Sequence, residues 1–110
     1  MGSRLTTYRE NSMNINLTFQ DIDLTGATVY FTVKSAADTD ATDTSALIKK
    51  DITSHTDAIN GATEIVLTPT DTDITVGKYK YDIKLKKADG QQTTTQVGEF
   101  IVKEAITNRG

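Results

Sequence analysis

Hydrophobic and polar residues alternate in several short segments of the chain. The clearest segment is residues 78–86 (KYKYDIKLK), in which aromatic and aliphatic residues alternate with charged ones. Because successive side chains of a strand point to opposite faces of a sheet, this pattern predicts a strand with one buried and one solvated face. Residues 13–19 and 29–33 show the same alternation and predict two further strands.

Four further segments complete the predicted set of strands. Residues 46–52 and 63–67 predict short strands, residues 5–9 an edge strand and residues 91–103 the last strand. Clusters of Gly, Asn and Asp, which favour turns, separate these segments. One such turn is predicted at Asn60 and Gly61, just before residues 63–67.

Six or seven short strands joined by turns predict an all-β fold, either a sandwich or a barrel. The motif at Gly77, Tyr79 and Tyr81 described below favours the sandwich, of immunoglobulin-like antiparallel type with about seven strands. The length suits a single domain over residues 1–110.

The last predicted strand contains a break in its alternation. Val97 is out of step with Phe100 and Val102, and Gly98 lies between them. Since a glycine inside a strand often marks a β-bulge, the sequence predicts a bulge at Gly98.

Residues 35–45 (SAADTDATDTS) form the one low-complexity segment. They include no apolar residue larger than alanine, so they cannot add a face to a hydrophobic core. We expect a flexible loop between two strands, with a single helical turn as the alternative.

Composition supports strands and removes several classes of function. The chain has 20 Thr, one Pro and no Cys or Trp. Threonine suits a strand, and the lack of cysteine removes disulfides and thiolate zinc sites. A net charge of −3 gives no general attraction for nucleic acid or an anionic membrane. No apolar stretch approaches the roughly 20 residues of a membrane span, and the start lacks the apolar core of a secretory signal.

The segment around Tyr79 resembles the start of strand F in immunoglobulin domains. There, an acidic turn and a small residue precede a tyrosine, and a cysteine follows two residues later. Here Gly77 precedes Tyr79, and Tyr81 occupies the cysteine position. We therefore predict that the Tyr79 hydroxyl binds upstream backbone and that packing of Tyr81 replaces the disulfide.

Candidate chemical sites are few. Aspartates recur two residues apart in three segments, but none shows an EF-hand pattern, and Asp is an ordinary turn former. We interpret these pairs as turns: Asp21/Asp23, Asp38/Asp40 and Asp71/Asp73. Five lysines form a basic stripe near the polar face of one strand, which we interpret as a solvated surface that opposes edge aggregation. They are Lys78, Lys80, Lys84, Lys86 and Lys87.

No residue pattern favours catalysis. His55 is the single histidine, one fewer than the smallest usual histidine metal site needs. The chain has neither a nucleophile-elbow motif nor a glycine-rich phosphate loop. The glycosylation sequon at Asn16 lies within a predicted strand and is interpreted as accidental. We therefore predict no catalytic residue, no metal site, no cofactor and no enzymatic activity.

Several motifs occur together in an order that resembles a family of tailed-phage domains. They are DLTGATVYFTVK (23–34), LTPTDT (67–72), GKYKYDI (77–83), ADG (88–90) and GEFIV (98–102). This arrangement resembles the immunoglobulin-like N-terminal domain of baseplate upper proteins and related short tail-associated proteins, from about Tyr8 to Thr107. One departure is Glu10 within RENS (9–12), where the family often has glycine in R-G-D-T.

The resemblance implies a structural protein of a phage or prophage virion, assembled in the host cytoplasm. It implies other virion proteins as partners, a homo-oligomer as one arrangement, and no nucleic acid or membrane. Candidate docking residues are Tyr8, near the predicted edge, and Tyr30, which the strand phase turns outward. A bacterial surface adhesin domain and a carbohydrate-binding module are the alternatives, although a sugar platform needs more exposed aromatics than these two tyrosines.

Overall fold

The computed structural model describes residues 3–39 and 42–106, which form seven β-strands. The all-β class and the number of strands are thereby confirmed. The predicted segment 46–52 is shorter in the structure, because its strand begins only at Ile48. The strands are β1 (Ser3–Tyr8), β2 (Met13–Thr18), β3 (Thr28–Ser35), β4 (Ile48–Ile52), β5 (Ala62–Leu67), β6 (Gly77–Lys86) and β7 (Gln92–Lys103).

The strands form two sheets. One has five strands in the order β1-β7-β6-β3-β4, and the other pairs β2 with β5. Every pair is antiparallel except β1 with β7, which run parallel from Ser3 opposite Gly98 to Tyr8 opposite Lys103. The prediction of a wholly antiparallel sandwich is therefore wrong for this pair. No hairpin joins β1 to β7, so no tight turn imposes the antiparallel direction on them.

The core consists of the inward-facing residues of both sheets. Along β6 the buried side chains alternate with exposed or half-buried ones, as the sequence pattern predicts. Burying one large aliphatic or aromatic side chain contributes about 1.5–3 kcal/mol. The largest fully buried apolar residues are Phe31, Phe100, Leu24, Ile65, Leu67, Ile83, Leu85, Val29, Val33 and Val102.

An aromatic cluster lies in this core around Tyr81, the residue predicted to pack in place of a disulfide. Tyr81 is 2% exposed, and its ring centroid is 5.7 Å from that of Phe31. Phe31 in turn meets Phe100 edge-on at 6.2 Å. The Tyr81 hydroxyl accepts a hydrogen bond from Gln96 Nε2 at 2.6 Å, so its polar atom has a partner despite the burial.

The bulge of β7 lies at Thr95, and the prediction of a bulge at Gly98 is wrong. The register pairs Ile83 with Gln96 but Lys84 with Thr94, which leaves Thr95 as the extra residue. Its hydroxyl donates to the Ile83 carbonyl oxygen at 3.1 Å. Beyond this point Val97 simply faces outward and is 58% exposed. The break in alternation therefore reflects an exposed valine rather than a bulge at the glycine.

Gly61 and Glu10 both adopt left-handed backbone conformations in turns. Gly61 has φ of +77°, and a Cβ at this position would lie 2.1 Å from the Phe19 carbonyl oxygen, so only glycine fits here. Glu10 has φ of 64° in the turn between β1 and β2. Glutamate therefore adopts the conformation for which the resembling family uses glycine, at a cost of about 1–2 kcal/mol relative to a right-handed conformation.

Candidate docking surface

The outer face of the five-stranded sheet is rich in positive charge. The polar-phase residues of all five strands point to this side, away from the core. We call this surface the basic face. Its charged residues are the cations Arg4, Lys34, Lys49, Lys78, Lys80, Lys84, Lys86 and Lys103 and the carboxylates Asp51, Asp82 and Glu99.

A shallow groove crosses the middle of the basic face. It consists of two adjoining cavities of about 220 Å³ and about 360 Å³. Both are lined by Thr32, Lys34, Asp43 and Asp82, so they share one floor on β3 and β6. Asp43 comes from the connection between β3 and β4, which therefore forms one wall of the groove.

The groove surrounds a carboxyl group with an altered acidity. Partial burial, reinforced by the negative charge of Asp43, raises the pKa of Asp82 above its ordinary value. The nearby cations Lys34 and Lys84 oppose the shift without cancelling it. Protonation of Asp82 at lower pH would make the basic face more positive.

Residues 35–39 and 42–45 lie against the basic face through lysine contacts. Lys34 Nζ donates to the Thr42 carbonyl oxygen at 2.6 Å, and Lys80 Nζ donates to the Asp38 carbonyl oxygen. Asp40, one of the six paired aspartates, lies outside the described residues. Residues 35–39 and 42–45 add no side chain to the core. Flexibility of this segment stays a prediction.

The two tyrosines chosen from the sequence as docking residues lie at opposite ends of the basic face. Tyr8 is 48% exposed and pairs with Lys103, whereas Tyr30 is half-buried beside Lys84 and lines the groove. The two rows are eight residue steps apart along β6, or about 26 Å. The tyrosines therefore do not form one aromatic platform of the kind that a sugar-binding module would need.

The start of β6 contains the contact expected of Tyr79. Its hydroxyl donates to the carbonyl oxygen of Thr75, four residues upstream, just before β6 begins at Gly77. This is the backbone bond that the Gly-x-Tyr-x-Tyr pattern suggested, and it links the strand to the preceding turn.

Two of the paired aspartates act in turns. Asp23 accepts hydrogen bonds from Thr25 Oγ1 and N at 2.6 and 2.9 Å, and the hydroxyl and then the backbone bond lower the pKa of Asp23. Asp71 accepts from Thr68 N at 2.7 Å and pairs with Lys50 Nζ at 2.7 Å. Burial would raise the pKa of Asp71, but the hydrogen bonds from Lys50 and Thr68 and the Lys50 charge hold it below its ordinary value.

His55 joins three segments of the chain. Its Nε2 lies 2.9 Å from the Ala27 carbonyl oxygen, and its Nδ1 lies 2.8 Å from Thr63 Oγ1. Because a carbonyl can only accept, Nε2 carries a proton, and in the neutral ring Nδ1 accepts from the threonine. His55 thereby ties the β4–β5 connection to the entrance of β3 and to β5.

The described residues bring no metal-binding group together. Within residues 3–39 and 42–106, no three His, Cys, Asp or Glu side chains converge in an arrangement that could hold a metal ion. Nor do these residues contain a helix with the length and hydrophobicity to cross a membrane.

Only part of the basic face was predicted from the sequence. The alternation of residues 78–86 indicated the lysines of β6, but not the cations that neighbouring strands add: Arg4, Lys34, Lys49 and Lys103. Each of them occupies a polar-phase position of its own strand. Strand phase alone could have identified them, but their assembly into one surface depends on the strand order.

Comparison with known proteins identifies one family. The family model described as the BppU N-terminal domain, the N-terminal domain of baseplate upper proteins, matches residues 8–110. No curated protein matches the chain. The matched region contains all of β2 to β7 and the last residue of β1.

Proposed function

Because the chain belongs to the family of BppU N-terminal domains, we propose that it is a docking module of a phage or prophage tail baseplate. In this role it binds other virion proteins, is located in the virion and performs no catalysis. The family match over residues 8–110 is the observation that carries the proposal. The family suggests a component of a phage baseplate, and the docking role is the step that we add.

We further propose that the two sheets form an immunoglobulin-like sandwich. The strand order supports this, because β2 and β5 form a separate sheet while β3, β6 and β7 form the centre of the other. The hydrogen bond from Tyr79 to Thr75 supports it as well, since a tyrosine at the start of strand F commonly binds upstream backbone in that fold.

The basic face is the proposed docking surface. It is broad and rich in charge, and it contains the exposed side chains of Tyr8 at one end and Val97 nearer the middle. Tyrosine supplies a large contact area at a small cost in side-chain entropy, which suits a protein interface. Rows of lysine around such residues favour partners with negative surfaces and speed their association.

The test uses the phage or prophage that encodes the chain. Particles are produced with the wild-type gene, with a deletion of the region encoding this chain, and with the double variant Tyr8→Ser/Tyr30→Ser. Purified particles are then analysed by mass spectrometry and negative-stain electron microscopy. We expect the wild-type protein in the particles, a defective baseplate after deletion and reduced incorporation of the double variant.

The double variant Tyr8→Phe/Tyr30→Phe is the matched control, because it keeps both rings and removes only the hydroxyls. Thermal unfolding of each purified variant separates loss of docking from loss of folding. Absence of the wild-type protein from purified particles would refute the proposed function. Normal incorporation of the serine variant would refute only the choice of these two tyrosines as docking residues.

A further inference from the structure

Positive and negative charges lie on different parts of the described surface. The strands of the basic face have eight cations and three carboxylates, and the connection that lies against it adds Asp38 and Asp43, which leaves an excess of three positive charges. Residues 10–27 and 53–76, which include β2 and β5, have seven carboxylates and no lysine or arginine. The chain as a whole has a net charge of −3. The positive and negative charges are therefore concentrated on different parts of the surface, although the net charge of the chain is small.

Three of these carboxylates belong to two turns that contact each other, and a fourth, Glu64, lies near the start of β5. Backbone hydrogen bonds join the turns, from Leu24 N to the Ala58 carbonyl oxygen at 2.7 Å and from Phe19 N to the Gly61 carbonyl oxygen at 2.8 Å. We call residues 19–24 and 57–64 the acidic corner. Its carboxylates are Asp21, Asp23, Asp57 and Glu64.

The acidic corner also has an apolar contact residue. Ile59 is 74% exposed within the corner, and Val66, two residues after the corner ends, is 46% exposed. The basic face has exposed apolar residues too, among them Val97 and Tyr8. Each surface thus combines charges of one predominant sign with apolar side chains, a composition suited to a protein interface.

We infer that the basic face of one copy of this chain docks onto the acidic corner of a second copy. The inference builds on the proposed docking function and names its partner. A second copy is favoured because each chain carries both complementary surfaces. Two basic faces in contact would oppose lysine to lysine, so the contact is between unlike surfaces. Such a heterologous contact generates a ring when its rotation closes and an open array when it does not.

The size of the basic face is adequate for this contact. The five strands contain 41 residues in total, and at about 3.3 Å per residue and about 4.8 Å between strands they cover about 650 Å². A standard protein interface buries about 800 Å² on each partner. Most of the basic face would therefore be covered in each contact.

The experiment measures self-association of the full chain with matched charge reversals. The basic-face variant is Lys78→Glu/Lys86→Glu, and the acidic-corner variant is Asp57→Lys/Glu64→Lys. Each variant changes the net charge by four, from −3 to −7 and to +1 respectively. Sedimentation equilibrium is recorded from about 10 µM to about 1 mM at low and high salt, where affinities in that range are resolved. Circular dichroism melting checks that both variants remain folded.

We expect the wild-type chain to associate reversibly at low salt and to dissociate at about 1 M salt, where the Debye length falls to about 3 Å. Each variant alone should associate at least tenfold more weakly, and an equimolar mixture of the two should associate again. The acidic-corner variant, which is almost neutral, would associate more strongly than wild type if net charge governed the effect. That result would overturn the inference, as would failure of the mixture to associate.

A monomeric wild-type chain across the whole range would also overturn the inference. The proposed function has a separate readout, the presence of the protein in purified particles. If the wild type were monomeric and the basic-face variant were missing from particles, the basic face would bind a different virion protein. The docking function would then stand without self-association.

Discussion

Replacing Tyr79 with phenylalanine removes one hydroxyl and keeps the ring. The hydroxyl donates to the Thr75 carbonyl oxygen and joins β6 to the turn before it. A hydrogen bond of this kind contributes about 0.5–1.5 kcal/mol, and Tyr79 is only half-buried, so we expect a loss of about 1 kcal/mol. An unfolding entropy of about 2.1 cal/mol/K per residue converts this loss into a decrease in melting temperature of about 4 °C.

Urea unfolding and thermal melting of the purified chain measure the change. Tyr8→Phe is the matched control, because Tyr8 is 48% exposed and its hydroxyl can bind water instead of protein. The control should leave the midpoint unchanged, and the urea dependence of the free energy should be the same for all three proteins. If Tyr79→Phe matched the wild type as closely as the control does, the bond to Thr75 would contribute nothing to stability.

Two further substitutions test single residues. Glu10→Gly should raise the free energy of unfolding by up to about 1 kcal/mol in urea titrations. The reason is that relief of the left-handed strain at φ of 64° exceeds the entropic cost of glycine. A lower urea midpoint would show that the glutamate side chain stabilises the turn. Burial and Asp43 raise the pKa of Asp82, so the wild-type stability falls as pH rises from about 4 through the folded-state pKa. Asp82→Asn should therefore raise the urea midpoint at pH 7 and lose this advantage below about pH 3; an equal gain at both pH values would exclude ionisation as the cause.

Local patterns predicted the features that depend on neighbouring residues in the chain. The alternation of residues 78–86 located β6, because the two faces of a strand differ at every step. The Gly-x-Tyr-x-Tyr spacing pointed to the Tyr79 bond, whose partner lies only four residues away. The turn at Gly61 was predicted for the same reason, since its positive φ is a property of one residue.

Features that depend on distant residues could not be predicted in this way. The parallel pairing of β1 with β7 joins residues that are 95 positions apart, such as Ser3 and Gly98. The bulge at Thr95 is defined by its register with β6, and a threonine gives no sequence signal for it. The basic face likewise requires the strand order, because its cations come from five separate segments.

The parallel pairing of β1 with β7 has a mechanical consequence. In a parallel pair, the first residue of β1 and the last residue of β7 lie at opposite ends of the ribbon, about 17 Å apart. Tension applied between Ser3 and Lys103 therefore pulls the two strands past each other along their length. All six residue pairs from Ser3–Gly98 to Tyr8–Lys103 then bear the load together, whereas a hairpin pulled from its open end separates one pair at a time. Resistance to such a pull depends on the unfolding rate rather than on equilibrium stability. Joint loading of the six pairs lowers that rate relative to a ribbon that opens one pair at a time.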